Sequence, residues 1–175
     1  MPRITVHNLD VFYRDEGEGP PVLLGHSSTG SSGQWRNLIE RMADRYRLLA
    51  PDHLGYGRTS SHRGAVSLVE DELAIITALV DLADEPIHLV GHSYGGSLLA
   101  RTVVRLPGKV RSLTLIEPTL FYLLQAFGRA TEHQEIKAVA DRVVHYVDAG
   151  EPEEASRGFI GYWVGDGAFD QMDER

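Results

Sequence analysis

Between residues 22 and 116 apolar runs alternate with segments of helical periodicity, and this alternation narrows the possible folds more than any other feature of the chain. Val22-Leu23-Leu24 is apolar at every position, as a strand buried on both faces must be. Trp35, Leu38, Ile39 and Met42 then recur at helical spacing, and Tyr46 to Ala50 forms a second apolar run closed by Pro51-Asp52. Val69, Leu73, Ile76 and Val80 fall on one face of a further helix, with Ser67 and Glu70 spaced as a capping box at its start. Ile87 to Val90 is the next strand. A helix with Leu98, Leu99, Thr102, Val103 and Leu106 on its inner side follows, and Val110 to Ile116 ends the series. Strands separated by helices pair in parallel, because a tight hairpin can join only antiparallel neighbours. The expected architecture is therefore α/β, a mostly parallel sheet with helices on both faces. Ahead of it, Ile4 to Val6 and Val11 to Tyr13 flank Asn8-Leu9-Asp10 and predict an N-terminal hairpin.

After Glu117-Pro118 the alternation stops. Thr131 and Gln134 are spaced as a capping box ahead of Ile136, Val139, Ala140, Val143, Val144 and Val147, a stripe ending near Gly150. Pro152 suits the first turn of another helix, which runs through Phe159, Ile160, Tyr162 and Trp163. The chain thus divides into a core of residues 1–117 and a helical segment of residues 118–175. Such helices need an apolar surface to cover, and the open C-terminal ends of the strands offer one.

The residues that carry chemistry lie at a strand end. Gly91-His92-Ser93-Tyr94-Gly95 fits G-x-S-x-G and falls directly between an apolar strand and a helix. A serine there projects from the top of the sheet on a strained turn, and the flanking glycines let the backbone segments approach closely. The helix N-terminus behind Ser93 directs N–H groups and a positive dipole end toward any oxyanion formed on it. Acyl transfer needs two such donors, one from the residue after the nucleophile and one from a neighbouring loop. Tyr94 would supply the first. The neighbouring loop is Leu24-Gly25-His26-Ser27-Ser28-Thr29-Gly30, which follows the first core strand.

Together these elements resemble the α/β-hydrolase superfamily: the His26 loop, the Pro51-Asp52-His53-Leu54-Gly55-Tyr56-Gly57-Arg58-Thr59 segment after a strand, and the elbow from Gly91 to Gly96, in the family's order. The resemblance implies a serine hydrolase with Ser93 as nucleophile and the backbone N–H groups of Tyr94 and Ser28 as oxyanion donors. Ser27 departs from the pattern by standing where glycine usually follows the histidine. His26 either fixes the turn through hydrogen bonds or joins Ser27 and His92 on the substrate side, and Trp163 of the helical segment, read as a lid, would line the same pocket. Asp52 reads as a turn residue. Glu117, at the end of the last strand, is either the acid that orients the catalytic histidine or a residue that lines the pocket and caps the turn. Family members place that histidine after the acid. Only His133 and His145 follow Glu117, and both read as surface residues of a helix, so the base and the rest of the core are expected beyond Arg175. The chain alone is accordingly expected to be inactive.

A serine at position 93 argues against dehalogenases and epoxide hydrolases of this fold, which use aspartate. It leaves esterases, carbon–carbon bond hydrolases and cofactor-free peroxidases open, with a non-catalytic binding module or truncated product as the alternative from another class. The net charge of -8 argues against nucleic acid and anionic membrane as partners and favours a small neutral substrate. The absence of cysteine rules out disulfides and thiolate metal sites. No stretch approaches the roughly 20 apolar residues of a membrane span. A cytoplasmic protein without cofactor or metal is the expectation.

Overall fold

The computed structural model describes residues 2–61 and 67–172. Six strands form one sheet: β1 (Arg3–Val6), β2 (Leu9–Glu16), β3 (Pro21–Gly25), β4 (Arg47–Pro51), β5 (Ile87–His92) and β6 (Val110–Ile116). Their order across the sheet is β1-β2-β4-β3-β5-β6. β1 pairs with β2, and β2 with β4, in antiparallel fashion, while β3 pairs in parallel with β4 and β5, and β5 in parallel with β6. The parallel part is the segment where strands and helices alternate in the sequence.

The alternation of side chains along β3 and β4 divides the core in two. Leu23 and Leu49 face one way, into a cluster with Val11, Ile75, Ile76, Leu79, Leu89, Leu98 and Leu99. Val11 comes from β2, and the others from β5, from α2 (Leu68–Val80) and from α3 (Tyr94–Arg105). Val22, Leu24, Leu48 and Ala50 face the other way and pack on Trp35 and Ile39, carried by a 3-10 turn at Ser32–Trp35 and by α1 (Arg36–Met42). Every residue of β3 is buried, as its uninterrupted apolar sequence requires when both faces are covered.

Several local expectations are corrected. The first hairpin turns at His7 and Asn8, both with positive φ (48° and 65°), rather than at Asn8 to Asp10. Such two-residue turns match the twist of the strands they join. The capping box at Ser67 does not form: the Ser67 side chain makes no capping bond, and Glu70 instead pairs with Arg105 of α3. The one at Thr131 does not form either, because α5 (Ala130–Asp148) begins ahead of it with Arg129 at the N-cap. The ion pair of Arg129 with Glu132 occupies that first turn.

The chain separates into two compact units, Met1–Thr119 and Leu120–Arg175. The second contains α4 (Tyr122–Ala126), α5 and α6 (Pro152–Val164), followed by a 3-10 turn at Phe169–Gln171. Within it α6 lies against α5, burying Ala155 and Ile160, while no residue of α5 is buried. The stripe seen in the sequence leaves Val144 and Val147 exposed within the described residues. No helix among the described residues is long and apolar enough to cross a membrane.

Candidate active site

The strand order reverses direction at β3: the chain goes to β4 on one side and then to β5 on the other. Ligands of open α/β sheets bind outside the carboxyl ends of the strands at such a switch point. The two loops that leave the sheet there are the one after β3, which begins at His26, and the one after β5, which carries Ser93.

Ser93 is the single residue between β5 and α3 and adopts φ 51°, ψ −114°. A non-glycine residue at positive φ is sterically costly and persists only where its surroundings determine it. Here the Ser93 N–H donates to Ile116 O (3.0 Å), and Ser93 O accepts from Ser97 N–H (3.0 Å) and Thr119 N–H (3.2 Å). The glycines around it make the sharp turn possible. A Cβ on Gly91 would lie 2.6 Å from Gly96 Cα, and one on Gly95 would lie 2.5 Å from Gly25 O and 2.6 Å from His26 O. Helix α3 therefore starts against the end of β3, and the Gly95 N–H donates across to His26 O (3.0 Å).

Of the two proposed oxyanion donors, the Tyr94 N–H is the first of α3, where a helix leaves its N–H groups unpaired. The Ser28 N–H has no acceptor among the described residues, whereas the N–H of Ser27 donates to Gln34 Oε1 (3.1 Å). Of these two residues, Ser28 is the one whose N–H is left without an acceptor among the described residues. Ser27 Oγ also donates to Gln34 Oε1 (2.9 Å), and Gln34 Nε2 donates to His92 Nδ1 (3.1 Å).

His26 is wholly buried. Its Nδ1 lies 2.7 Å from Ser27 O, and its Nε2 accepts from the His53 N–H (2.9 Å). Since Ser27 O only accepts and the His53 N–H only donates, the ring is neutral with its proton on Nδ1. Burial, reinforced by the neighbouring His53, lowers its pKa to about 4. With both nitrogens occupied, His26 braces the loop and presents nothing to a substrate. Asp52 is also a brace: its two carboxylate oxygens accept from the N–H groups of Ser32 (2.6 Å) and Arg58 (2.8 Å).

Beneath the elbow lies a polar cluster with no signature in the sequence. His53 and Glu72 are each 1% exposed and paired at 3.0 Å, and the second Glu72 oxygen accepts from the Leu54 N–H (2.8 Å). The His53 ring centroid lies 4.3 Å from that of His26 and 5.4 Å from that of Tyr94. Tyr94 Oη and His53 Nε2 are buried without a hydrogen-bond partner among the described residues. Burial, with the nearby Glu72 carboxylate second, raises the Tyr94 pKa.

Glu117 follows β6 with φ 44° and a side chain 88% exposed, its Oε2 3.9 Å from His92 Nε2. The structure therefore brings Glu117 beside His92. Trp163, His133 and His145 belong to the second unit. There Trp163 stacks on Phe121 at 5.9 Å between ring centroids, and His145 lies edge-on to Tyr146. No cluster of residues suited to a metal ion is found among the described residues.

The sequence pattern of the alpha/beta hydrolase fold family matches residues 20–148, and the chain belongs to that family. A protein of Azorhizobium caulinodans provisionally named carbamate hydrolase RutD is 33% identical over 116 residues, which are 66% of this chain and 44% of that protein. Haloalkane dehalogenase 2 of Mycobacterium tuberculosis is 32% identical over 106 residues, covering 60% of this chain and 37% of the dehalogenase. The crystal structure of an alpha/beta hydrolase from Sphaerobacter thermophilus superimposes with a TM-score of 0.72 at 18% identity, over 99% of this chain and 65% of that one. At that identity the likeness is one of fold. The chain spans less than half the length of these two curated relatives.

Proposed function

We propose that the chain carries the nucleophile and oxyanion hole of a serine hydrolase that cleaves a small ester or related acyl compound through an acyl-enzyme. The observation that carries this reading is Ser93 itself, held at positive φ between a buried strand and the N-terminus of α3. Attack by Ser93 Oγ on an acyl carbon would place negative charge on the carbonyl oxygen, where the N–H groups of Tyr94 and Ser28 and the start of α3 would stabilise it. A carbamate is an acyl carbon flanked by nitrogen and oxygen, so the likeness to RutD is in keeping with this chemistry. The haloalkane dehalogenase likeness extends to the scaffold, but the aspartate nucleophile of that group is replaced here by Ser93.

The serine hydroxyl needs a histidine to take its proton, and among the described residues Ser93 Oγ has no hydrogen-bond partner. Glu117 is the proposed acid, from its place at the end of β6, and the unit that carries Trp163 is proposed to set substrate choice. A serine-directed fluorophosphonate tests the core of the reading. It should label the complete gene product at Ser93 and fail to label the Ser93→Ala variant, and labelling at Ser28 or Ser97 instead would overturn the assignment.

A further inference from the structure

Gln34 is an exposed residue in the 3-10 turn Ser32–Trp35, away from the elbow in sequence, yet its amide joins both halves of the proposed oxyanion hole. Its orientation follows from its partners. The Ser27 backbone N–H can only donate, so the atom 3.1 Å from it must be Oε1. The NH₂ group then faces His92, and His92 Nδ1, 3.1 Å away, must be the bare acceptor. His92 consequently carries its proton on Nε2, the nitrogen 3.9 Å from Glu117 Oε2.

Two consequences follow for the loop after β3. Capture of the Ser27 N–H fixes the orientation of that peptide and leaves the next N–H, that of Ser28, free. The bond to His92 then ties the same amide to the residue immediately before Ser93, so the loop and the nucleophile are held in one frame. Gly30 leaves room for this: a Cβ there would lie 3.3 Å from Gln34 Oε1 and 3.1 Å from Ser27 O.

We infer that Gln34 is a positioning residue that holds the Ser28 N–H as oxyanion donor by coupling the loop after β3 to His92. The inference rests on the serine-hydrolase reading for its catalytic part, but the Gln34 bridge itself can be measured without turnover.

The test compares Gln34→Met and Gln34→Glu in the complete gene product, using an activated aryl ester with Ser93→Ala as background, together with imidazole ¹⁵N NMR of His92. Methionine keeps length and removes both hydrogen-bonding functions. It should lower kcat about 10- to 100-fold, somewhat less than removal of an oxyanion donor outright, with KM within about twofold, because the donor acts on the transition state. Glutamate can still accept both Ser27 hydrogens and should recover most of that loss, while its second oxygen moves the His92 proton to Nδ1. In the wild type the spectrum should show the proton on Nε2.

Unchanged kcat in Gln34→Met would overturn the inference, as would a rise in KM alone or a Gln34→Glu variant as impaired as Gln34→Met. A wild-type His92 protonated on Nδ1 would overturn it without reference to activity. If no Ser93-dependent hydrolysis is found, the serine-hydrolase reading fails and the catalytic role of Gln34 with it, while the NMR result still decides whether the bridge exists.

Discussion

Gly25 and Gly95 meet backbone to backbone: a methyl group on Gly95 would stand 2.5 Å from the carbonyl oxygen of Gly25. The contact lets α3 begin directly against the end of β3, so that the loop after β3 and the elbow after β5 lie side by side. Gly95→Ala should therefore destabilise the first unit by about 3 kcal/mol or more, at the upper end of overpacking costs because backbone rather than a flexible side chain must yield. Gly158→Ala is the contrasting substitution. Its added Cβ would meet only Arg142 Cδ, at 3.7 Å, and inside α6 alanine should stabilise the second unit by about 0.5–1 kcal/mol. Denaturant titration of each variant gives both signs, and a neutral Gly95→Ala would refute the packing argument.

The buried His26 makes the first unit sensitive to acid. Its folded pKa of about 4 lies below the ordinary value of 6.5, chiefly through burial. Between those values the unfolded chain binds a proton that the folded one refuses, so stability rises with pH across this window. The contribution is complete above about pH 6.5 and is lost as pH falls toward 4, with a full swing on the order of 3 kcal/mol. Urea midpoints from pH 4 to pH 7 should show this slope, and it should shrink in His26→Asn. An unchanged slope in the variant would show that other groups cause it.

Much of the sheet was legible because burial on two faces leaves continuous apolar runs such as Val22-Leu23-Leu24, and burial on one helical face leaves a 3.6-residue period such as Leu73, Ile76 and Val80. Ser93 was legible because the elbow needs glycines at fixed positions around it. The capping boxes at Ser67 and Thr131 misled because their acidic or polar third residues are ordinary in a first helical turn. Glu70 lies within reach of Arg105 in the fold, and Thr131 lies one residue inside α5. Gln34 and the His53–Glu72 pair could not be found by spacing. Each makes its bonds between separate elements, and a single glutamine before Trp35 or a glutamate on an amphipathic helix carries no local mark of that role.

The cluster beneath the elbow should respond asymmetrically to substitution. Glu72→Leu would leave His53 Nδ1 and the Leu54 N–H buried without their acceptor, and loss of one member of a buried pair costs about 3–5 kcal/mol. Tyr94→Phe removes a hydroxyl that has no partner among the described residues, so it should change stability by less than about 1 kcal/mol, or raise it. Thermal unfolding of the two variants would separate the roles, and a large loss in Tyr94→Phe would mean that its hydroxyl is satisfied in solution.

The last prediction concerns the backbone of Ser93. At φ 51° and ψ −114° any residue with a Cβ is strained, at a cost on the order of 1–3 kcal/mol. Glycine at this position meets no such penalty, although it loses about 0.5–1 kcal/mol through the greater freedom of its unfolded chain. Ser93→Ala keeps the Cβ and therefore the strain, whereas Ser93→Gly releases it. Both remove the nucleophile, so neither should react with a fluorophosphonate. Ser93→Gly should nevertheless be more stable than Ser93→Ala by about 1 kcal/mol, the reverse of the order alanine and glycine show within a helix. Differential denaturation of the two variants measures that difference directly, and an alanine variant equal to or more stable than the glycine one would mean that the turn relaxes to an unstrained geometry when the hydroxyl is gone.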